Sequence, residues 1–169
     1  GAAAGDEILA ALAAEGIDTA GVARVGAASG AALITVSDGG ENAITVLPGA
    51  NLEVPLPGAD AASALGTARC LVLQMEIQLA ANQAWATAAR AARVPVMLNA
   101  APAGAEAKAL LPLVDLLLVN EGELVQLGGN EAALGPATVV TTLGERGCRA
   151  WHRGRTIAVP GAKVEVVDT

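Results

Sequence analysis

Val94-Pro95-Val96-Met97-Leu98-Asn99 and Leu116-Leu117-Leu118-Val119-Asn120 are short apolar runs that each stop at an asparagine. Two further runs have the same form: Cys70-Leu71-Val72-Leu73 leads into Gln74-Met75-Glu76, and Thr138-Val139-Val140-Thr141 into Thr142. Short apolar runs of this length read as buried strands. Helical patterns separate them, over residues 59–67, 79–92, 105–111 and 122–127. Strands alternating with helices predict the α/β class, with a parallel sheet, right-handed crossovers and helices on its faces. The polar tips then share the carboxyl edge of that sheet, which is where open α/β sheets bind ligands.

Outward from this block, Asp6 opens an alanine- and leucine-rich helix that runs to Ala14, closed by Gly16, and its pattern predicts packing on a sheet. Residues 31–36 and 42–47 flank Ser37-Asp38-Gly39-Gly40-Glu41 and read as a β-hairpin with a glycine turn. The tail offers three short strands, Cys148 to Trp151, Thr156 to Val159 and Lys163 to Val167, with Arg153-Gly154 as a turn. These predict an antiparallel extension at one edge.

The chain has 169 residues, is 53% hydrophobic and 16% charged, and has no apolar run near the roughly 18 residues of a membrane span. That fits a globular domain of ordinary size. With no Phe and no Tyr, its core must be built from Ala, Val, Leu and Ile. A net charge of −7 with ten Lys plus Arg argues against nucleic acid and anionic membranes as partners and favours a small polar ligand. Cys70 and Cys148 lack the spacing of a metal site and are expected to be buried free thiols of a reducing compartment. No secretory pattern opens the sequence, so the cytoplasm is the default location.

Neither a Walker loop nor Gly-x-Gly-x-x-Gly is present. Thr142-Leu143-Gly144-Glu145-Arg146-Gly147 follows a strand; its glycines would let the backbone approach a ligand, although a strand-to-strand turn explains it about as well. Asn120 can cap the helix that begins at Glu121-Gly122-Glu123. The three-residue spacing also lets Asn120 and Glu123 face one crevice, where the carboxylate could hold Mg²⁺ through water and the amide meet phosphate oxygens. Glu76 is either a solvated strand end or an acceptor for ligand hydroxyls, and Asn99 either a turn residue or a ligand contact. His152, the single histidine, reads as an exposed turn residue, and Trp85 and Trp151 as core packing.

In this order the segments resemble the ribokinase (PfkB) family of carbohydrate kinases, and its ribokinase branch most closely. Gly16-Ile17-Asp18-Thr19 carries the resemblance first, then Gly40-Glu41-Asn42-Ala43-Ile44 through Pro48-Gly49-Ala50-Asn51, Leu73-Gln74-Met75-Glu76 and Leu98-Asn99-Ala100-Ala101-Pro102-Ala103. Val114-Asp115 to Asn120-Glu121-Gly122-Glu123, the stretch Thr142 to Gly147, and Val166-Val167-Asp168-Thr169 complete it. The resemblance spans nearly the whole chain.

It implies a ribokinase-like α/β sheet with helices on both faces and a small β lid. Residues 1–169 would form a partial domain of that kind, with residues 31–47 as part of the lid. It further implies ATP-dependent phosphorylation of a pentose such as ribose, with another sugar or a nucleoside as the alternative substrate. Glu76 would contact the sugar, Asn120 and Glu123 would serve the ATP phosphates and Mg²⁺, and Thr142, Leu143, Gly144, Glu145, Arg146 and Gly147 would line the nucleotide site. Asp168 would be a ligand for a monovalent cation such as K⁺, and the lid would mediate a homodimer. Set against the family, the amino- and carboxy-terminal parts of the fold are expected to be missing. The glycine-rich sugar-binding segment would precede Gly1, and the Gly-Ala-Gly-Asp that carries the catalytic aspartate would follow Thr169. Only ten residues join Leu127 to Thr138, where the family has a further helix. A chain without that aspartate is expected to be inactive alone, and a non-catalytic module for ligand binding or dimerisation is the competing class.

Overall fold

The computed structural model describes residues 2–37 and 42–163. Contacts divide the chain into two compact units, Gly1–Pro55 with Glu76–Gln78, and Leu56–Met75 with the residues from Leu79 onward.

The amino-terminal unit opens with helix α1 (Ala2–Ala14). Gly16 ends it in a left-handed conformation (φ +74°), while the Ile17 amide donates to the Leu12 carbonyl across the turn, a closure that a Cβ would disfavour. Its described residues are at most half-buried, and Ile8 is 55% exposed. Strands β1 (Ala31–Val36) and β2 (Asn42–Leu47) form the expected antiparallel hairpin, with Ile34 opposite Ile44. Its turn residues 38–41 lie outside the described ones. Leu33, Ile34, Val36, Ile44, Val46 and Leu47 are all more than half exposed, so both faces of this ribbon are open.

The second unit runs α2 (Ala61–Thr67), β3 (Leu71–Gln74), α3 (Leu79–Ala91), β4 (Val96–Asn99), α4 (Ala105–Leu110), β5 (Leu116–Asn120), α5 (Glu121–Leu127), β6 (Thr138–Thr142), β7 (Cys148–His152) and β8 (Arg155–Val159). The six strands lie in sequence order; β3 to β6 are parallel, and β7 and β8 extend the sheet antiparallel, as expected of the tail. Arg153 (φ +47°) and Gly154 (φ +85°) make the two-residue turn between them. The third tail strand falls mostly beyond Lys163, outside the described residues. Between α5 and β6 the short connection holds one 3-10 turn, Glu131–Ala133.

Register explains the core. Leu73, Val96 and Leu98, Leu117 and Val119, and Val139 occupy one face of the sheet and are buried together with Leu65, Ala86, Ala89, Ala107, Leu110, Leu124 and Leu127 from α2 to α5. Every sheet residue of this cluster belongs to the same alternating set. Strands that add in sequence order through right-handed crossovers stack their helices on one side, so the sheet receives one helical layer from this stretch. The other face carries Val72, Ile157 and Val159, each more than half exposed. Leu98, Leu110 and Leu117 are fully buried, each worth about 1.5–3 kcal/mol of transfer free energy. Trp85 and Trp151 pack against the cluster, as expected.

Two local expectations change. The β4 ladder begins at Val96 because Pro95 has no N–H to donate, although its carbonyl accepts from Leu71. The cysteines are not buried: Cys70 precedes β3 and is exposed, and Cys148 is half-buried on the face away from the helices. Among the described residues no helix is long and apolar enough to cross a membrane.

Candidate functional site

The parallel strands end in polar residues at one edge, as their sequence implies. Gln74 lies opposite Asn99, and Asn120 opposite Thr142. All four belong to the alternating set that avoids the helical layer, so the pleat keeps them out of the core. Asn99 is half-buried, whereas Asn120 and Thr142 are exposed.

At the end of β5, Asn120 and Glu123 meet in a capping box. The Glu123 amide donates to Asn120 Oδ1 (2.8 Å) and the Asn120 amide donates to Glu123 Oε2 (2.7 Å). The two readings of this pair therefore coexist. Capping fixes both side chains, worth about 1 kcal/mol, and leaves Glu123 Oε1 and the Asn120 Nδ2 donors without a bond among the described residues.

Thr142 to Gly147 is a strand-to-strand turn joining β6 to β7, closed by Leu143 N–H to the Gly147 carbonyl (2.8 Å) and wound as a 3-10 turn over Gly144–Arg146. Gly147 (φ +90°) is required there: a Cβ would sit 2.1 Å from the Val159 carbonyl oxygen. Gly144 (φ +60°) has open space where its Cβ would be. Arg146 donates from its guanidinium to Glu121 and so ties this turn to the first turn of α5. That hydrogen bond, with the Glu121 charge, raises the Arg146 pKa further above its ordinary value. Two segments singled out separately in the sequence thus become neighbours.

Beneath the edge lie polar groups that sequence reasoning missed. Asn82, fully buried at the start of α3, donates to the Gln74 carbonyl (2.7 Å), while its Oδ1 has no partner among the described residues. Glu131 Oε1 accepts from buried Thr141 (2.9 Å) and from Arg149 Nε (2.9 Å), with the Glu131 side chain only 15% exposed. A helix-like spacing could have hinted at Asn82; nothing local links Glu131, Thr141 and Arg149, which come from three elements.

Other expected residues belong to different segments. β3 stops at Gln74, so Glu76 lies two residues past the strand; it is exposed and belongs to the amino-terminal unit. Asp168 lies outside the described residues. His152 is exposed at the end of β7, with Nδ1 2.8 Å from the Thr138 hydroxyl. No group of three acidic, histidine or cysteine side chains fit for a metal occurs among the described residues. The donor set still suits Mg²⁺ carried by a phosphate ligand: one uncommitted carboxylate oxygen on Glu123 can reach the ion through water, while phosphates and water supply the other positions.

The model of the pfkB family carbohydrate kinases matches residues 1–169. The chain belongs to the pfkB family of carbohydrate kinases. It is 31% identical to a ribokinase of Haemophilus influenzae over 94% of this chain and 57% of the relative. Among solved structures, a ribokinase from Thermotoga maritima matches with a TM-score of 0.82 and 27% identity, over 97% of this chain and 58% of the other. A ribokinase from Arabidopsis thaliana, complexed with ribose and ATP, matches with a TM-score of 0.69 and 27% identity over 80% and 49%. The chain thus spans about half to three-fifths of the length of these relatives. Membership accounts for the ribokinase-like sheet and for the order of the motifs along it.

Proposed function

We propose that these residues serve the ATP-dependent phosphorylation of a pentose, with ribose favoured and ribose 5-phosphate as product. The observation that carries the reading is the Asn120–Glu123 capping box at the carboxyl end of β5, tied through Glu121 and Arg146 to the turn Thr142 to Gly147. Similarity to ribokinases, one of them complexed with ribose and ATP, supports the choice of substrate.

On this reading Asn120 offers its amide N–H groups to phosphate oxygens, and Glu123 holds Mg²⁺ through water. Mg²⁺, when bound, neutralises charge that develops on the transferred phosphoryl group. Thr142, Leu143, Gly144, Glu145, Arg146 and Gly147 line the nucleotide, with Gly144 leaving room for close approach. Glu76 accepts hydrogen bonds from sugar hydroxyls, and Asp168 binds a monovalent cation such as K⁺. The catalytic aspartate is assigned to none of these 169 residues, so the chain's part is positioning and charge neutralisation. The hairpin acts as a lid that pairs with a second copy, a role supported by six large apolar side chains open on its two faces.

The test is calorimetric titration of the 169-residue chain with ATP and Mg²⁺, followed by assay with ribose, fructose and adenosine. Binding that weakens at least about tenfold in Glu123→Ala, without turnover of any substrate, is expected. Binding that ignores Glu123 would remove the nucleotide assignment; turnover by these residues alone would refute the assignment of the base elsewhere.

A further inference from the structure

At the opposite, amino edge of the same sheet lies a cavity of about 440 Å³ between the starts of β4, β5 and β6. Three of the ten basic residues in this acidic chain line it: Arg90, Arg93 and Arg153. The one carboxylate in its wall, Asp115, is already engaged, with Oδ2 accepting from the Val96 amide (2.9 Å) and Oδ1 3.7 Å from Arg90. Among the described residues Arg93 and Arg153 have no ion pair and no side-chain hydrogen bond. Two of the arginines that line this cavity therefore carry charges with no partner among the described residues.

Their backbone conformation makes the placement pointed. Arg93 (φ +60°) and Arg153 (φ +47°) are the two non-glycine residues with positive φ among those described, and both line this cavity. Arg93 occupies the position after α3 where a helix usually ends in glycine, with Val94 N–H closing on the Ala89 carbonyl (2.8 Å). Arg153 opens a two-residue hairpin turn that favours glycine or asparagine. Local folding alone would favour a smaller residue at each point.

We propose that this amino-edge cavity binds a small phosphate monoester, its dianion held between Arg93 and Arg153. Two uncompensated guanidinium groups match a phosphate that carries nearly two negative charges at neutral pH, and their forked donors match its oxygens. Val94, Pro95 and Leu116 supply an apolar wall for the carbon body, and the volume falls in the range of small-molecule sites. The site is independent of the nucleotide assignment at the carboxyl edge.

Glycine fits both backbone conformations, so the double variant R93G/R153G removes the charges without straining the fold. Inorganic phosphate is titrated into the ¹⁵N-labelled chain and followed by amide chemical shifts. Saturable shifts at Val94, Leu116 and Thr138 are expected, weakened at least about tenfold in R93G/R153G while its Tm holds or rises. Repeating the titration with glycerol 3-phosphate tests the wall, and tighter binding than that of inorganic phosphate is expected. Absent shifts at this edge, shifts confined to residues 120–124, or equal affinity in the double variant would each overturn the proposal. Should the double variant unfold, R153G alone, which changes only a surface turn, carries the same expectation of weakened binding.

Discussion

The two ends of the parallel strands differ in chemistry although they share a core. At the carboxyl end stand Asn99, Asn120, Thr142 and the Glu123 carboxylate; at the amino end stand Arg90, Arg93 and Arg153. Strands of four or five residues at about 3.3 Å per residue hold the two edges roughly 13–17 Å apart. The carboxyl edge is organised by reciprocal hydrogen bonds that leave a few donors and acceptors exposed, while the amino edge keeps cations uncompensated at strained backbone positions. A sheet buried on one face can thus carry an acidic and amide-rich edge and a basic edge that are tuned separately, coupled only through the apolar residues between them.

Leu117→Ala should break the comparison altogether. Leu117 is fully buried near the start of β5, and its truncation is expected to cost about 2–5 kcal/mol in urea unfolding, destabilising both edges together. Next comes Glu131→Ala, which leaves the buried Thr141 hydroxyl and Arg149 without their acceptor beside the carboxyl edge. A loss of about 1–3 kcal/mol is expected, and a cost below about 0.5 kcal/mol would show that the network is not structural. Asn120→Ala sharpens the contrast: it should cost about 1 kcal/mol and weaken binding of ATP with Mg²⁺, while phosphate-induced shifts at Val94 and Thr138 stay as they are. The smallest effect belongs to Arg146→Ala. Its ion pair with Glu121 is exposed, so Tm should not move measurably, and any change in nucleotide affinity should fade as salt is raised.

Much of this architecture was legible because period and punctuation survive in the sequence. The runs ending at Gln74, Asn99, Asn120 and Thr142 reported four parallel strands and the edge they share, and Arg153-Gly154 reported the tail hairpin. Asn120 and Glu123 were legible as a pair because a capping box is local, set by three-residue spacing. The exposure of Cys70 is not legible because an apolar run does not say where its ladder starts. Pro95 and Cys70 both fall just outside their strands, one for want of an N–H, the other because the chain has not yet entered the sheet. For the same reason the sequence predicts a strand reaching Glu76, whereas β3 ends at Gln74.

Sequence alone determined the strand and helix order, the polar edge and the resemblance to carbohydrate kinases, since each depends on residue type and short-range spacing. Tertiary structure decided which face of the sheet is covered, because the side chains of successive strands alternate and right-handed crossovers put α3, α4 and α5 on one side. It also decided the long-range partners: Arg146 with Glu121, Glu131 with Thr141 and Arg149, and the three arginines around one cavity. These pairs lie 10 to 25 residues apart where hydrogen bonds join them, and no local pattern encodes such meetings. Only the strand register, fixed by burying one alternating set of side chains, brings them together.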